Sequence, residues 1–143
     1  ICGQVDEFSD AEVARRLGLP WNGPDSLYDP ETNIILGTAY LREKEAMYGK
    51  PYVAIAAYNA GPTPTSRWLS QRGHMDPDIW IETISYRETR EYVARVLAFS
   101  VLYDWRMFGT ARPVSERMLG AAAGNGKRKR FECPAPDAAP QAG

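Results

Sequence analysis

The stretch that most restricts the fold is Ala57-Tyr58-Asn59-Ala60-Gly61-Pro62, which follows the apolar run Val53-Ala54-Ile55-Ala56-Ala57. The run reads as a buried helical segment, and Gly61 and Pro62 stop it at once. Glycine supplies the left-handed conformation that such an ending needs, and proline blocks its continuation. Tyr58 and Asn59 therefore sit at a helix C-terminus, where the last backbone carbonyls lack intrahelical partners. Two readings fit this corner. In one, the tyrosine packs against the core and the glycine and proline are ordinary caps. In the other, a rigid corner presents a phenol and an amide to a cleft.

The flanking sequence is helical throughout. Ser9-Asp10-Ala11-Glu12 has the spacing of a capping box, which predicts a short helix through Val13 and Leu17 that ends at Gly18. Asp29 caps a longer helix, with Pro30 in its first position and Gly49 at its end. Gly37 lies in mid-helix, where glycine costs roughly 1 kcal/mol against alanine, and its presence predicts the close approach of another backbone. A third helix runs from about Pro51 into the opening corner, a fourth spans Thr65 to Gln71, and a short fifth follows Asp76-Pro77-Asp78. Ser85-Tyr86-Arg87-Glu88 reads as a second capping box and opens the longest helix, to about Phe108. Its apolar stretch from Val96 to Leu102 predicts that it is the central buried helix. No alternating strand pattern appears, so the fold class is all-α, about six helices. Residues 1–119 read as one domain, and 120–143, rich in Ala, Gly and Pro, as a disordered tail.

Charge narrows the partners. Residues 1–120 hold 13 Lys and Arg against 16 Asp and Glu, a balance of −3 that argues against a nucleic-acid binder. The run Lys127-Arg128-Lys129-Arg130 reads as a solvated segment of the tail. No stretch approaches the roughly 20 apolar residues that span a bilayer. Cys2 and Cys133 match no metal or redox spacing, and whether they pair is open. His74 stands alone beside Gly73 and reads as a surface residue, so no metal site is expected. Trp68 and Trp80 lie among leucine and isoleucine at helical spacing and favour core packing over flat contact with sugars.

An ordered set of segments resembles one family. They are Asp29-Pro30-Glu31-Thr32-Asn33-Ile34 with Leu36-Gly37 and Tyr40-Leu41; Ala56-Ala57-Tyr58-Asn59-Ala60-Gly61-Pro62 with Arg67-Trp68-Leu69; and Trp80-Ile81-Glu82-Thr83-Ile84 leading to Tyr86-Arg87-Glu88-Thr89-Arg90 with Tyr92-Val93. In order and interval they resemble the soluble lytic transglycosylases of bacteria, over about residues 9–108. The resemblance implies a lysozyme-like helical domain, related to goose-type lysozyme. It implies non-hydrolytic cleavage of the β-1,4 bond between N-acetylmuramic acid and N-acetylglucosamine in peptidoglycan, with 1,6-anhydromuramic products and no cofactor. It also implies a periplasmic or envelope location and peptidoglycan strands as the partner. A monomer is the default, and oligomeric state is otherwise open.

The resemblance departs at the N-terminus. Counting back places Gln4 at the glutamine of the family's Gly-Leu-Met-Gln motif, with Ile1, Cys2 and Gly3 in place of the rest. The family's catalytic glutamate would then lie upstream of Ile1, so no catalytic residue is assigned within this chain. Asp6 and Glu7, the nearest acids, lie in an unmatched segment and are poor substitutes. Substrate contacts are implied for Tyr58, Asn59, Glu88, Tyr86 and Gln4. Tyr58 would orient the catalytic carboxyl or the sugar. For Glu88 and Tyr86, a helix-start role is an equal reading. The alternative function is a peptidoglycan-binding module or an inactive fragment.

Overall fold

The structure, a computed structural model, describes residues 7–119. The described residues form α1 (Glu7–Leu17), a 3-10 turn (Pro24–Tyr28), α2 (Pro30–Tyr48), α3 (Pro51–Ala60), α4 (Pro62–Arg72), α5 (Pro77–Glu82), α6 (Arg87–Phe108) and α7 (Val114–Leu119). No strand occurs among them, in keeping with the all-α expectation. Gln4, Asp6, both cysteines, the basic run and the segment 120–143 lie outside the described residues.

The start of α2 follows directly from its sequence. The Asp29 carboxylate accepts a hydrogen bond from the Thr32 backbone N–H at 2.8 Å and from the Thr32 hydroxyl at 2.6 Å. These two bonds, the hydroxyl's first, hold the Asp29 carboxyl below its usual range. Gly49 closes the helix at φ 63°, a left-handed cap.

The central helix is α3, not α6. Every residue from Tyr52 to Ala57 is buried, and α2, α4, α6 and α7 all pack on it. Three alanines, Ala54, Ala56 and Ala57, let those neighbours approach from several sides. The expectation for α6 fails because its apolar stretch runs around the helix and defines no single face. Only Thr89, Val93 and Leu97 of α6 are buried, while Leu102 is 57% and Trp105 65% exposed. The core around α3 includes Trp68 and Trp80, so both tryptophans pack internally.

Four local expectations are revised. Gly61 adopts φ 85°, ψ 163°, a region open essentially to glycine alone and distinct from the left-handed helical cap. Pro62 does not end helical structure but starts α4 as its first residue, where its missing N–H costs nothing. The Thr65 side chain, wholly buried, donates to the Gly61 carbonyl at 2.9 Å and fastens the corner from the far side. Ser9 lies inside α1, which includes Glu7, and Tyr86 stands at the N-cap of α6 with no side-chain cap bond, so the second capping box does not form as read. The seventh helix, α7, carries no sequence signal of its own. It is held to α6 by an ion pair between Arg117 and Asp104.

Three outcomes follow. Enlarging Ala56 to Leu should lower unfolding free energy by about 1–3 kcal/mol, because no space is left around it. Ala94→Leu on the exposed side of α6 should change it by less than about 0.5 kcal/mol; urea denaturation reads both. For Asp29, a carboxyl with a depressed native pKa contributes stability that is present above its unfolded pKa and lost as pH falls through the native value. The melting-temperature difference between the parent and Asp29→Ala should therefore be full at neutral pH and shrink on acidification below the ordinary carboxylate range.

Candidate functional site

The corner after α3 does deliver Tyr58 to a cleft. The cleft has a volume of about 240 Å³ and lies between α2, α3 and α6, with Asn33, Gly37 and Thr38 on one wall and Tyr92 and Val96 on another. It is smaller than the roughly 300–1,000 Å³ of common ligand pockets, so it suits part of a larger ligand. Gly37 explains how Tyr58 reaches it. A Cβ at position 37 would stand 3.0 Å from the Tyr58 hydroxyl oxygen. The glycine thus makes room for a side-chain hydroxyl, where the sequence suggested a passing backbone.

The Tyr58 ring is braced on both sides. Tyr40 of α2 lies 5.6 Å away, tilted by 56°, and Tyr92 of α6 lies parallel within 2° at 6.4 Å. Behind Tyr40, the ammonium of Lys44 sits 4.2 Å from the ring centroid and 4.0 Å from a Glu43 carboxylate oxygen. Lys44 is buried, and the ring face is part of what stabilises its charge there. Burial raises the pKa of the Tyr92 phenol, so it stays neutral and able to donate a hydrogen bond. On the opposite wall, the Asn33 amide donates to the Leu27 carbonyl at 3.0 Å, which ties the 3-10 turn to α2. The Thr38 hydroxyl donates back to Ile34 at 2.7 Å.

The other predicted contacts are placed elsewhere. Asn59 is half-buried beside the corner and does not line the cleft. Tyr86 is 54% exposed at the entry to α6 and meets Trp68 edge-on, 5.1 Å between centroids at 88°. The turn that carries Tyr86 is held by Arg72, which donates to the Thr83 carbonyl, and by Arg90, which donates to the Ile84 carbonyl. Glu88 is exposed on the first turn of α6. Gln4 lies outside the described residues. The structure therefore brings Tyr58 into the cleft and leaves Asn59, Tyr86 and Glu88 off its lining. Sequence reasoning gave no role to Tyr92, Asn33 or the Tyr40–Lys44 brace. The mid-helix glycine was the available signal, since whatever needed its space had to lie opposite. Among the described residues, no carboxyl lines the cleft, and no three His, Cys, Asp or Glu side chains are grouped to hold a metal ion.

Comparison with known proteins finds relatives of this chain. The family described as Transglycosylase SLT domain matches residues 4–81, more than half of the chain, and Soluble lytic transglycosylase helical domain matches residues 83–110. The soluble lytic murein transglycosylase of Salmonella typhimurium is 42% identical over 103 residues, 70% of this chain and 16% of that protein. Its Escherichia coli K12 counterpart is 40% identical over 107 residues, 73% of this chain and 17% of that protein. The crystal structure of an inactive glutamate-to-glutamine mutant of the lytic transglycosylase Slt from Pseudomonas aeruginosa superposes with a TM-score of 0.66 at 39% identity, covering 73% of this chain and 17% of that one. The chain spans about a sixth of the length of the curated relatives it matches. With a match over more than half of the chain that covers α2, α3, α4 and the corner that carries Tyr58, this chain belongs to the SLT transglycosylase domain family.

Proposed function

We propose that the chain carries the glycan-holding part of a lytic murein transglycosylase of the bacterial envelope. The observation that carries this reading is Tyr58, seated in the cleft by Gly37 and braced by Tyr40 and Tyr92, in a chain of this family. The substrate is the peptidoglycan strand, and the bond broken is the β-1,4 link from N-acetylmuramic acid to N-acetylglucosamine. A location in the periplasm fits that substrate. Among the described residues, no helix is long and apolar enough to cross a membrane.

The reaction needs one carboxyl in two roles. As an acid it protonates the bridging oxygen as the C1–O bond breaks. As a base it removes the proton from the muramic C6 hydroxyl, whose oxygen then bonds to C1 and closes the 1,6-anhydro ring. No water enters, and the carboxyl ends in its starting state. Such a group works best in a desolvated pocket that raises its pKa. A phenol such as that of Tyr58 suits the tasks of orienting the carboxyl and the sugar, because it both donates and accepts. Tyr92, kept neutral by burial, adds a second donor on the same wall. Tyr86 and Glu88 offer an exposed ring and carboxylate for an outlying part of the strand.

A second reading has its own support. Because no carboxyl lines the cleft among the described residues, residues 7–119 bind glycan without cutting it, and the acid–base group comes from outside them. The P. aeruginosa relative, inactive as a glutamate-to-glutamine mutant, fits a reaction that depends on one such group.

Three measurements test these readings. The 143-residue chain should pellet with insoluble peptidoglycan, Tyr58→Ala should lose that binding, and neither should release anhydromuropeptides. Equal pelleting of both, or none, would count against a cleft-based site. In the longer protein, Tyr58→Phe should lower anhydromuropeptide release by roughly 10²-fold through misplacement of the reacting groups, at nearly unchanged stability. Gly37→Ala should alter stability by less than about 1 kcal/mol, since its helix-propensity gain offsets the contact with Tyr58. The same change should weaken peptidoglycan binding severalfold, and a variant that binds like the parent would remove Gly37 from the account.

A further inference from the structure

Leu36, Tyr40 and Lys44 recur at intervals of four residues along α2 and share one face of the helix. All three are buried, at 1%, 7% and 5% exposure. A lysine therefore stands at an inward register, where an apolar side chain would avoid the loss of hydration that a buried charge suffers. Among the described residues, two groups meet its ammonium. The face of the Tyr40 ring lies 4.2 Å away, measured to the centroid, and Oε1 of Glu43 lies 4.0 Å away, beyond hydrogen-bond distance. Glu43 is shared with a second cation, because the Arg16 guanidinium of α1 donates to its other carboxylate oxygen. Removing the lysine charge thus leaves Glu43 paired.

An aromatic ring is negative over its face and positive at its edge. A cation over the face of Tyr40 holds that ring face-on, because any flip about the ring axis must first turn the positive edge toward the ammonium. Tyr40 lies in turn against Tyr58, at 5.6 Å and tilted by 56°. A ring fixed in angle presents a fixed surface to its neighbour, so order imposed at Lys44 reaches the Tyr58 phenol, whose oxygen lies over Gly37 in the cleft. Neither Lys44 nor Tyr40 lines the cleft, so the effect is one of placement and not of contact with a ligand. We propose that Lys44 is a positioning residue for the Tyr58 phenol, acting through the face of Tyr40. What this role does for glycan rests on the function proposed above; the order of the two rings does not.

The test compares the 143-residue chain with Lys44→Met, which keeps the length of the side chain and removes the charge. Methionine suits a buried site and Glu43 keeps Arg16, so the melting temperature should stay level or rise. A residue that only supports the fold would not separate function from stability in this way. Without any glycan, NMR of ring-labelled tyrosine should show Tyr40 and Tyr58 flipping faster by about tenfold or more, the effect expected on losing a desolvated cation from a ring face. With insoluble peptidoglycan, Lys44→Met should bind severalfold more weakly than the parent. In a Tyr40→Leu background, Lys44→Met should add nothing to Tyr58 flipping or to pelleting, since its route to Tyr58 is gone.

Rings that flip as slowly in Lys44→Met as in the parent would overturn the proposal. So would equal affinity of two chains that both bind peptidoglycan, or an effect of Lys44→Met that persists in full without Tyr40. A parent that does not pellet removes the glycan reading, and the ring measurement then decides the role of Lys44.

Discussion

The contact between Gly37 and Tyr58 governs the geometry of the cleft. A methyl group at position 37 would stand 3.0 Å from the tyrosine oxygen and push it back by a few tenths of an ångström, so the absent side chain sets how deeply the hydroxyl sits. That sacrifice costs α2 roughly 1 kcal/mol of helix propensity. The helix is long and firmly ended, by the Asp29–Thr32 hydrogen bonds at one terminus and Gly49 at the other, and it tolerates the loss. Tyr58 in turn needs a fixed backbone beneath it. That comes from α3, buried on all sides over Tyr52–Ala57, and from the Gly61 corner locked by Thr65. Stability and site are therefore linked through one short helix. The same residues that fill the core hold the phenol still.

The brace around Tyr58 shows how a polar cluster is kept in an otherwise apolar setting. Tyr40 and Tyr92 limit the ring from two helices, and Lys44 rests on Tyr40 with its charge offset by the ring face and by Glu43. Preorganisation of this kind matters for a reaction that depends on orientation, because a misplacement of about 1 Å can cost two orders of magnitude in rate. At the entry to α6, Tyr86 meets the buried Trp68 edge-on, on a turn set by Arg72 and Arg90 on backbone carbonyls.

Much of the fold was legible in the sequence, for identifiable reasons. Asp29 with Pro30, Gly49, and Asp76 with Pro77 are local signals, and local chemistry decided those ends. The corner at Gly61 was legible as a stop, but not as the start of α4, because proline serves both purposes and only the following packing chooses. The choice between α3 and α6 as the centre was not legible. Both are apolar, and the deciding factor is that alanines on α3 admit several neighbours at once. The second capping box failed because Ser85 lies one residue before the position that tertiary packing gives the start of α6. Of the site, Tyr58 was read from its motif. Tyr92 and Tyr40 were not, since three-helix convergence leaves no periodic trace in any one helix.

The most direct measurement of the central claim is tyrosine-resolved NMR of the 143-residue chain, with ring-labelled tyrosine, during titration with a short alternating N-acetylglucosamine–N-acetylmuramic acid glycan. The chain has eight tyrosines, enough to map the contact surface. Saturable shifts of the Tyr58 and Tyr92 rings, with a smaller response at Tyr86 and none at Tyr28, are the predicted result. Shifts confined to exposed tyrosines such as Tyr28 and Tyr103, with Tyr58 and Tyr92 unmoved, would contradict a glycan cleft built on Gly37 and Tyr58.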